Sequence, residues 1–251
     1  MKTYTVFLSF VLFMSAMFCQ ATGHSEYKYK SHRRYGKQRI TVRQNIPAVR
    51  QLSGKLPHLD AVREGEKKFF AALDALPESF VKRTGLKYVT FLENPTFKNV
   101  PITGLAAGDT IILALPVSEK TVYHELFHIF DPLKPIKKWQ NFNDRRFVYT
   151  GSAYYEANLS KIKRKRKDSN LSSGKFDQDF VTHYAMSNEE EDRAETFAHM
   201  IVEKKDFLKR TAKSPALRKK MKFLIDMTDQ NKLLGREFWQ KNFGVSDLDS
   251  L

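Results

Sequence analysis

In the stretch Thr121-Val122-Tyr123-His124-Glu125-Leu126-Phe127-His128-Ile129-Phe130, two histidines stand four residues apart, and a glutamate directly follows the first. A helix would set His124 and His128 one turn apart on the same side. Two imidazoles so placed can share one zinc ion, and Glu125 between them can act on a zinc-bound water. Local signals favour the helix. Ser118 stands where an N-cap belongs, and Glu119 puts negative charge in the first turn, where it is favoured. Asp131-Pro132 closes the segment, because the residue before a proline is pushed out of the helical region. At about 100° per residue, Val122, Leu126 and Ile129 form a narrow apolar stripe nearly opposite the histidines. One side of the helix is thus built for a core and the other for chemistry.

Two histidines with an open position need a third protein ligand. The metzincin pattern would place a histidine six residues beyond His128; Lys134 stands there and excludes that class. The best alternative lies in Asn188-Glu189-Glu190-Glu191-Asp192-Arg193-Ala194-Glu195-Thr196-Phe197-Ala198-His199. As a helix, this segment puts Glu191, Ala194, Glu195, Ala198 and Val202 on one face. Its small residues allow another helix to approach closely. Two carboxylates on that inward face require partners, since an unpaired buried charge is costly. A metal at Glu191 and the ring N–H of a ligating histidine at Glu195 would supply them. The plainer reading, an acidic first turn that stabilises the helix dipole, accounts for Glu189 and Glu190 but not for Glu195.

Together, His-Glu-Leu-Phe-His (124–128) and Tyr-Ala-Met-Ser-Asn-Glu-Glu-Glu-Asp-Arg-Ala-Glu-Thr-Phe-Ala (184–198) resemble the anthrax lethal factor-like zinc metallopeptidases, the group that includes the Pro-Pro endopeptidases. In that family a Glu-x-x-Ala-Glu helix supplies the third ligand from its first glutamate, which matches Glu191 and Glu195. A tyrosine seven residues earlier faces the zinc, and Tyr184 holds that position. The resemblance implies that Tyr184 stabilises the oxyanion. The motif-bearing part runs from about Thr110 to Val202, and nothing in it reveals a specificity pocket.

The chain has 251 residues and a formal charge of +15, enough length for one domain with a sizeable core. Lys2, the apolar run from Val6 to Phe18 and the small residues near Gly23 have the layout of a secretory signal peptide over residues 1–23. The run is too short for the roughly 20 residues a spanning helix needs. Cys19 is the only cysteine, and it falls in the expected leader with bulky Met17-Phe18 before it, which disfavours lipidation. The mature chain would then be secreted or periplasmic and free of disulfides, and its metal ligands must be His, Glu, Asp or Tyr. The positive charge either keeps the protein soluble or favours anionic surfaces and acidic partners. No nucleic-acid-binding motif accompanies it.

Residues 24–57 read as a basic arm with little pattern beyond Arg39-Ile40-Thr41-Val42. It is a partly ordered extension, a propeptide or an anchor to an anionic surface. The catalytic domain is expected over 58–251. It opens with an amphipathic helix from His58 to Leu76 and a short helix closed by Thr84-Gly85. Strands follow at Lys87 to Glu93, broken by Asn94-Pro95, and at Thr110 to Leu115. The segment from Thr103 to Ala107 is either a plain connection or an edge that pairs with an extended substrate. Pro132 to Phe142 reads as helical, the Lys161–Lys167 run as a solvated loop or a docking patch, and the chain from Asn188 onward as mostly helical. His183 reads as an ordinary polar residue or a donor in the cleft, and His199 as structural or solvated.

The sequence therefore predicts an α+β, zincin-like metallopeptidase, a monomer, with a small sheet packed on the HExxH helix and a mostly helical C-terminal part. Its expected ligands for Zn2+ are His124, His128 and Glu191. Glu125 and Tyr184 are its catalytic residues, and Glu195 orients a ligand. The substrate is a protein or peptide. The rival readings are a zinc-containing binding or toxin-like module without turnover, and a hydrolase of cell-wall peptides.

Overall fold

The computed structural model of the protein describes residues 29–131, 139–149, 151, 174, 176–230 and 232–251. The expected leader, Cys19, Lys134 and the basic run at 161–167 lie outside these residues. Strands β1 (Lys30–Tyr35), β2 (Gln38–Arg43) and β3 (Leu52–Lys55) come first, followed by helices α1 (Leu59–Asp74) and α2 (Glu78–Thr84). Four strands follow: β4 (Tyr88–Phe97), β5 (Val100–Pro101), β6 (Gly104–Ala107) and β7 (Thr110–Ala114). Helix α3 (Glu119–Phe130) comes directly after them. The C-terminal part is helical: α4 (Glu189–Val202), α5 (Lys204–Thr211), α6 (Pro215–Gln230) and α7 (Gly235–Phe243). The architecture is α+β with a mixed sheet.

The sheet runs in the order β1-β2-β4-β7-β6, and β3 and β5 pair with the far end of β4. Strands β2, β4 and β7 are parallel, while β1 and β6 are antiparallel edges. Alternation sets the inner face. Val89 and Phe91 of β4, with Ile111 and Leu113 of β7, are fully or almost fully buried against α1 and α3. Phe69 of α1 meets Phe91 edge-on at 6.3 Å. Phe127 of α3 meets Phe197 of α4 at 4.8 Å, and Phe80 of α2 stacks on Phe197 at 5.5 Å. Each such ring contributes about 1.5–3 kcal/mol by leaving water. These aromatic contacts clamp α3 between the sheet and α4.

Four expectations need correction. Residues 24–57 are not an arm outside the domain, because their described part is woven into the sheet. Ile40 and Val42 of β2 are fully buried in the main core, and β2 pairs with β4 through Thr41 and Val42. The alternation in β1 is hidden because its inward residues are polar. Ser31 donates to Glu66 Oε1 at 2.5 Å, and Arg33 and Tyr35 bond Asp74. Second, Asn94-Pro95 does not break the strand. Asn94 takes φ 46°, and beyond this kink β4 changes partners to β3 and β5. Third, the Ser118 hydroxyl makes no capping hydrogen bond, although its backbone is extended as an N-cap requires. Fourth, α3 buries far more than a narrow stripe, since Tyr123, Phe127 and Phe130 are buried too. In the stretch expected to be helical from 132 to 142, the described residues hold a 3-10 turn at Gln140–Phe142.

Candidate metal centre

Helices α3 and α4 pack face to face and bring together groups 63 residues apart in sequence. His124 Nε2 lies 3.0 Å from His128 Nε2. Glu191 Oε2 lies 3.1 Å from each of them. Among the described residues, this is the group of three that could hold a metal ion. Tetrahedral zinc with bonds of about 2.0–2.2 Å spaces its ligand atoms about 3.3 Å apart. The observed triangle is within a few tenths of an ångström of that. Two imidazoles and a carboxylate oxygen are also the donor types of an open zinc site. The residues fit the ion.

The charges are organised around the same triangle. Burial opposes a charge on His124, but hydrogen bonds with Glu191 and Glu195 outweigh it and push its pKa up to about 10. Burial likewise opposes ionisation of Glu191, yet its bonds to His124 and His128 hold it well below the usual carboxylate range. The carboxylates that stabilise a proton on His124 would equally stabilise a cation seated between the rings, which would displace that proton. Glu195 stands behind His124, with Oε1 2.8 Å from Nδ1. Its Oε2 accepts the Thr182 hydroxyl at 2.8 Å.

Glu125 is buried beside the triangle. Burial pushes its pKa up, and the neighbouring histidines pull it part of the way back. Its position depends on Gly104 of the edge strand β6. A Cβ on Gly104 would lie 2.6 Å from Glu125 Oε1 and 2.7 Å from Thr121 Cγ2, so a side chain there would force the glutamate or the strand to shift. A cleft of about 380 Å³ opens at this point. Its walls include Ile102, Thr103 and Gly104 on one side and Lys120, His124 and Glu125 on the other. Tyr184, in a 3-10 turn at Tyr184–Met186, also lines it. The Tyr184 ring lies 6.0 Å from the His124 ring, centre to centre. β6 is thus an edge strand beside the cleft rather than a plain connection.

Several residues that build this site carry no motif. Helix α4 turns its other side to a buried polar network. Asp192 Oδ2 accepts from Trp139 Nε1 at 2.8 Å and Tyr149 Oη at 2.7 Å, and pairs with Lys220 Nζ at 2.8 Å. Arg193 donates to Asp131 Oδ2 through two nitrogens, at 2.9 and 2.6 Å, which ties α4 to the end of α3. The loop before Tyr184 is held by Arg210, whose guanidinium donates to the carbonyls of Asp177, Phe180 and Val181. Thr182 closes the turn by accepting from the Ala185 N–H at 3.1 Å. Acid and base types separated by 28 to 62 residues give no local pattern, so only the fold exposes these partnerships.

Two other histidines, His183 and His199, fall outside the triangle. His183 is exposed and contacts Asp177 Oδ2 at 3.2 Å. His199 is buried; its Nδ1 donates to the Glu195 carbonyl at 3.0 Å, and its Nε2 accepts from Lys120 Nζ at 3.1 Å. It is structural.

Among the described residues, no helix is long and apolar enough to cross a membrane. No curated protein and no solved structure matches the chain. The family described as "Putative zinc-binding metallo-peptidase" matches residues 108–245, more than half of the chain, and spans β7, α3 and the C-terminal helices. The matched region contains both histidines, Glu125, Tyr184 and Glu191, and the chain belongs to this family of metallopeptidases.

Proposed function

We propose that the protein is an exported, zincin-type zinc endopeptidase whose ligands are His124, His128 and Glu191. The observation that carries this reading is the 3.0–3.1 Å triangle of donor atoms on the wall of an open cleft, with a buried glutamate beside it. Zinc held there would supply Lewis acidity, polarising the scissile carbonyl and lowering the pKa of the attacking water. Glu125 takes a proton from that water and passes it to the leaving amine. Burial raises its pKa, which makes it a better proton acceptor than an exposed carboxylate. The Tyr184 hydroxyl donates to the carbonyl oxygen as negative charge develops on it. Glu195 holds the His124 ring in orientation. The edge strand β6 offers its backbone to an extended peptide, a geometry that suits a substrate running through the cleft.

The test pairs two variants with the wild type on a peptide library. Glu125→Gln should bind zinc stoichiometrically and lose hydrolysis by about 10²-fold or more. Glu191→Ala should lose both zinc and hydrolysis. Wild-type rates in purified Glu125→Gln would overturn the mechanism, and full zinc occupancy in Glu191→Ala would move the third ligand elsewhere.

A further inference from the structure

We infer that Arg210 is a positioning residue for hydrolysis, one that fixes where Tyr184 stands beside the metal centre; this rests on the oxyanion role proposed for Tyr184. From Thr182 to Ser187 the backbone forms one small closed unit. The Ala185 N–H donates to Thr182 Oγ1 at 3.1 Å, the Met186 N–H to the His183 carbonyl at 3.0 Å, and the Ser187 N–H to the Tyr184 carbonyl at 3.1 Å. Its C-terminal end runs straight into α4, where the Asn188 side chain accepts from the Glu191 N–H at 2.9 Å. Tyr184 is thereby tethered to the helix that carries Glu191. A unit tethered at one end can still swing about that junction, so the place of its hydroxyl depends on what holds the other end.

Arg210, in the last turn of α5, holds that end. Its Nη1 donates to the Val181 carbonyl at 2.8 Å, and its Nη2 donates to the carbonyls of Asp177, at 3.3 Å, and of Phe180. Val181 directly precedes Thr182, where the closed unit begins. Two other groups meet the loop further upstream: Lys220 Nζ donates to the Asp179 carbonyl at 2.9 Å, and the Ser214 hydroxyl donates to Asp179 Oδ1 at 2.8 Å. A planar guanidinium that spans three carbonyls fixes the direction of the chain as well as its distance. The Phe180 and Val181 side chains are buried, so their carbonyls need donors in any case. A purely structural Arg210 would do no more than supply them. Catalysis adds a stricter demand. The Tyr184 ring lines the cleft 6.0 Å from the His124 ring, and misplacing a group that meets developing charge by about 1 Å can cost roughly 10²-fold in rate.

The experiment is a double-mutant cycle on the zinc-loaded full chain, with kcat, KM and zinc content measured on a soluble peptide. Arg210→Ala should lower kcat about 10–100-fold, leave KM within about twofold, and keep its zinc. Tyr184→Phe should lower kcat as well. Adding Arg210→Ala to Tyr184→Phe should then cost less than about threefold more, because the group that Arg210 positions is already gone. Arg218 of α6 is the control: it donates to the carbonyls of Thr211 and Ala212, at 3.3 Å each and outside the Tyr184 loop. Arg218→Ala should keep the wild-type kcat. If Arg210→Ala is poorly folded, Arg210→Lys takes its place in the cycle, with a smaller loss and the same non-additivity. An unchanged kcat in Arg210→Ala, or its full loss repeated in the Tyr184→Phe background, would overturn the role of Arg210 and leave that of Tyr184 standing. A wild-type kcat in Tyr184→Phe would instead overturn the oxyanion reading, and the positioning role with it.

Discussion

Thr182 donates its hydroxyl to Glu195 Oε2 at 2.8 Å, and in doing so joins the turn that carries Tyr184 to the carboxylate behind His124. The same hydroxyl accepts from the Ala185 N–H. Thr182→Val keeps the shape and removes both bonds. It should retain zinc and melting temperature yet lower kcat about 10–100-fold with KM little changed. Thr182→Ser should restore the rate. Equal changes in kcat and thermal stability, without rescue by serine, would reduce Thr182 to a structural part.

Gly104 should be as sensitive as a motif residue. Gly104→Ala puts a methyl group 2.6 Å from Glu125 Oε1. Either the glutamate or the edge strand must then move. A displacement of about 1 Å at a catalytic group can cost roughly 10²-fold, so peptide hydrolysis should fall by about that factor while zinc content stays at the wild-type level. A rate within twofold of wild type would show that the strand yields instead.

The Asp192–Lys220 pair governs stability. Both side chains are fully buried, and burial pulls the Lys220 pKa down even beside the carboxylate. Lys220→Met leaves Asp192 charged and buried with only its neutral donors, which should cost about 3–5 kcal/mol in denaturant unfolding. Asp192→Asn combined with Lys220→Met should recover part of that loss. A single-variant cost under about 1 kcal/mol would contradict the assignment.

His199 predicts a pH effect of defined sign. Burial, reinforced by Lys120, lowers its pKa from 6.5. Above that value it is neutral in both folded and unfolded chains and contributes no pH dependence. As pH falls below 6.5, the unfolded chain takes up a proton that the folded protein resists, so stability drops by at most about 1.4 kcal/mol per pH unit. His199→Gln should flatten this part of the stability profile between pH 6.5 and 5. An unchanged slope would mean that other groups set it.

The site was readable where its logic is local. His124, Glu125 and His128 lie within a turn of each other, and Glu191 and Glu195 repeat that spacing, so helical geometry alone groups each set. Gly104 was not readable, because its role is the space it leaves for a side chain from another element. Asp192 and Arg193 lie off the ligand face and carry no motif, and their partners Lys220 and Asp131 are distant in sequence. The β1–β2 hairpin is hidden in the sequence for a related reason. Ser31 and Arg33 occupy inward positions and satisfy acids on α1, which erases the apolar alternation that marks a strand. The kink at Asn94 hides the length of β4, because proline after a turn-forming residue usually ends pairing and here only redirects it.

Helix α4 carries ligand chemistry on one side and the Asp192 network on the other, over only 14 residues. It is effectively a lever with its fulcrum inside the protein. Any shift of α6 that drags Lys220 would rotate Glu191 relative to the histidines. A shortened version that ends before residue 220 would therefore lose its metal geometry although every motif residue remained in place. The minimal unit for expression or engineering is set by the far end of that lever rather than by the motifs.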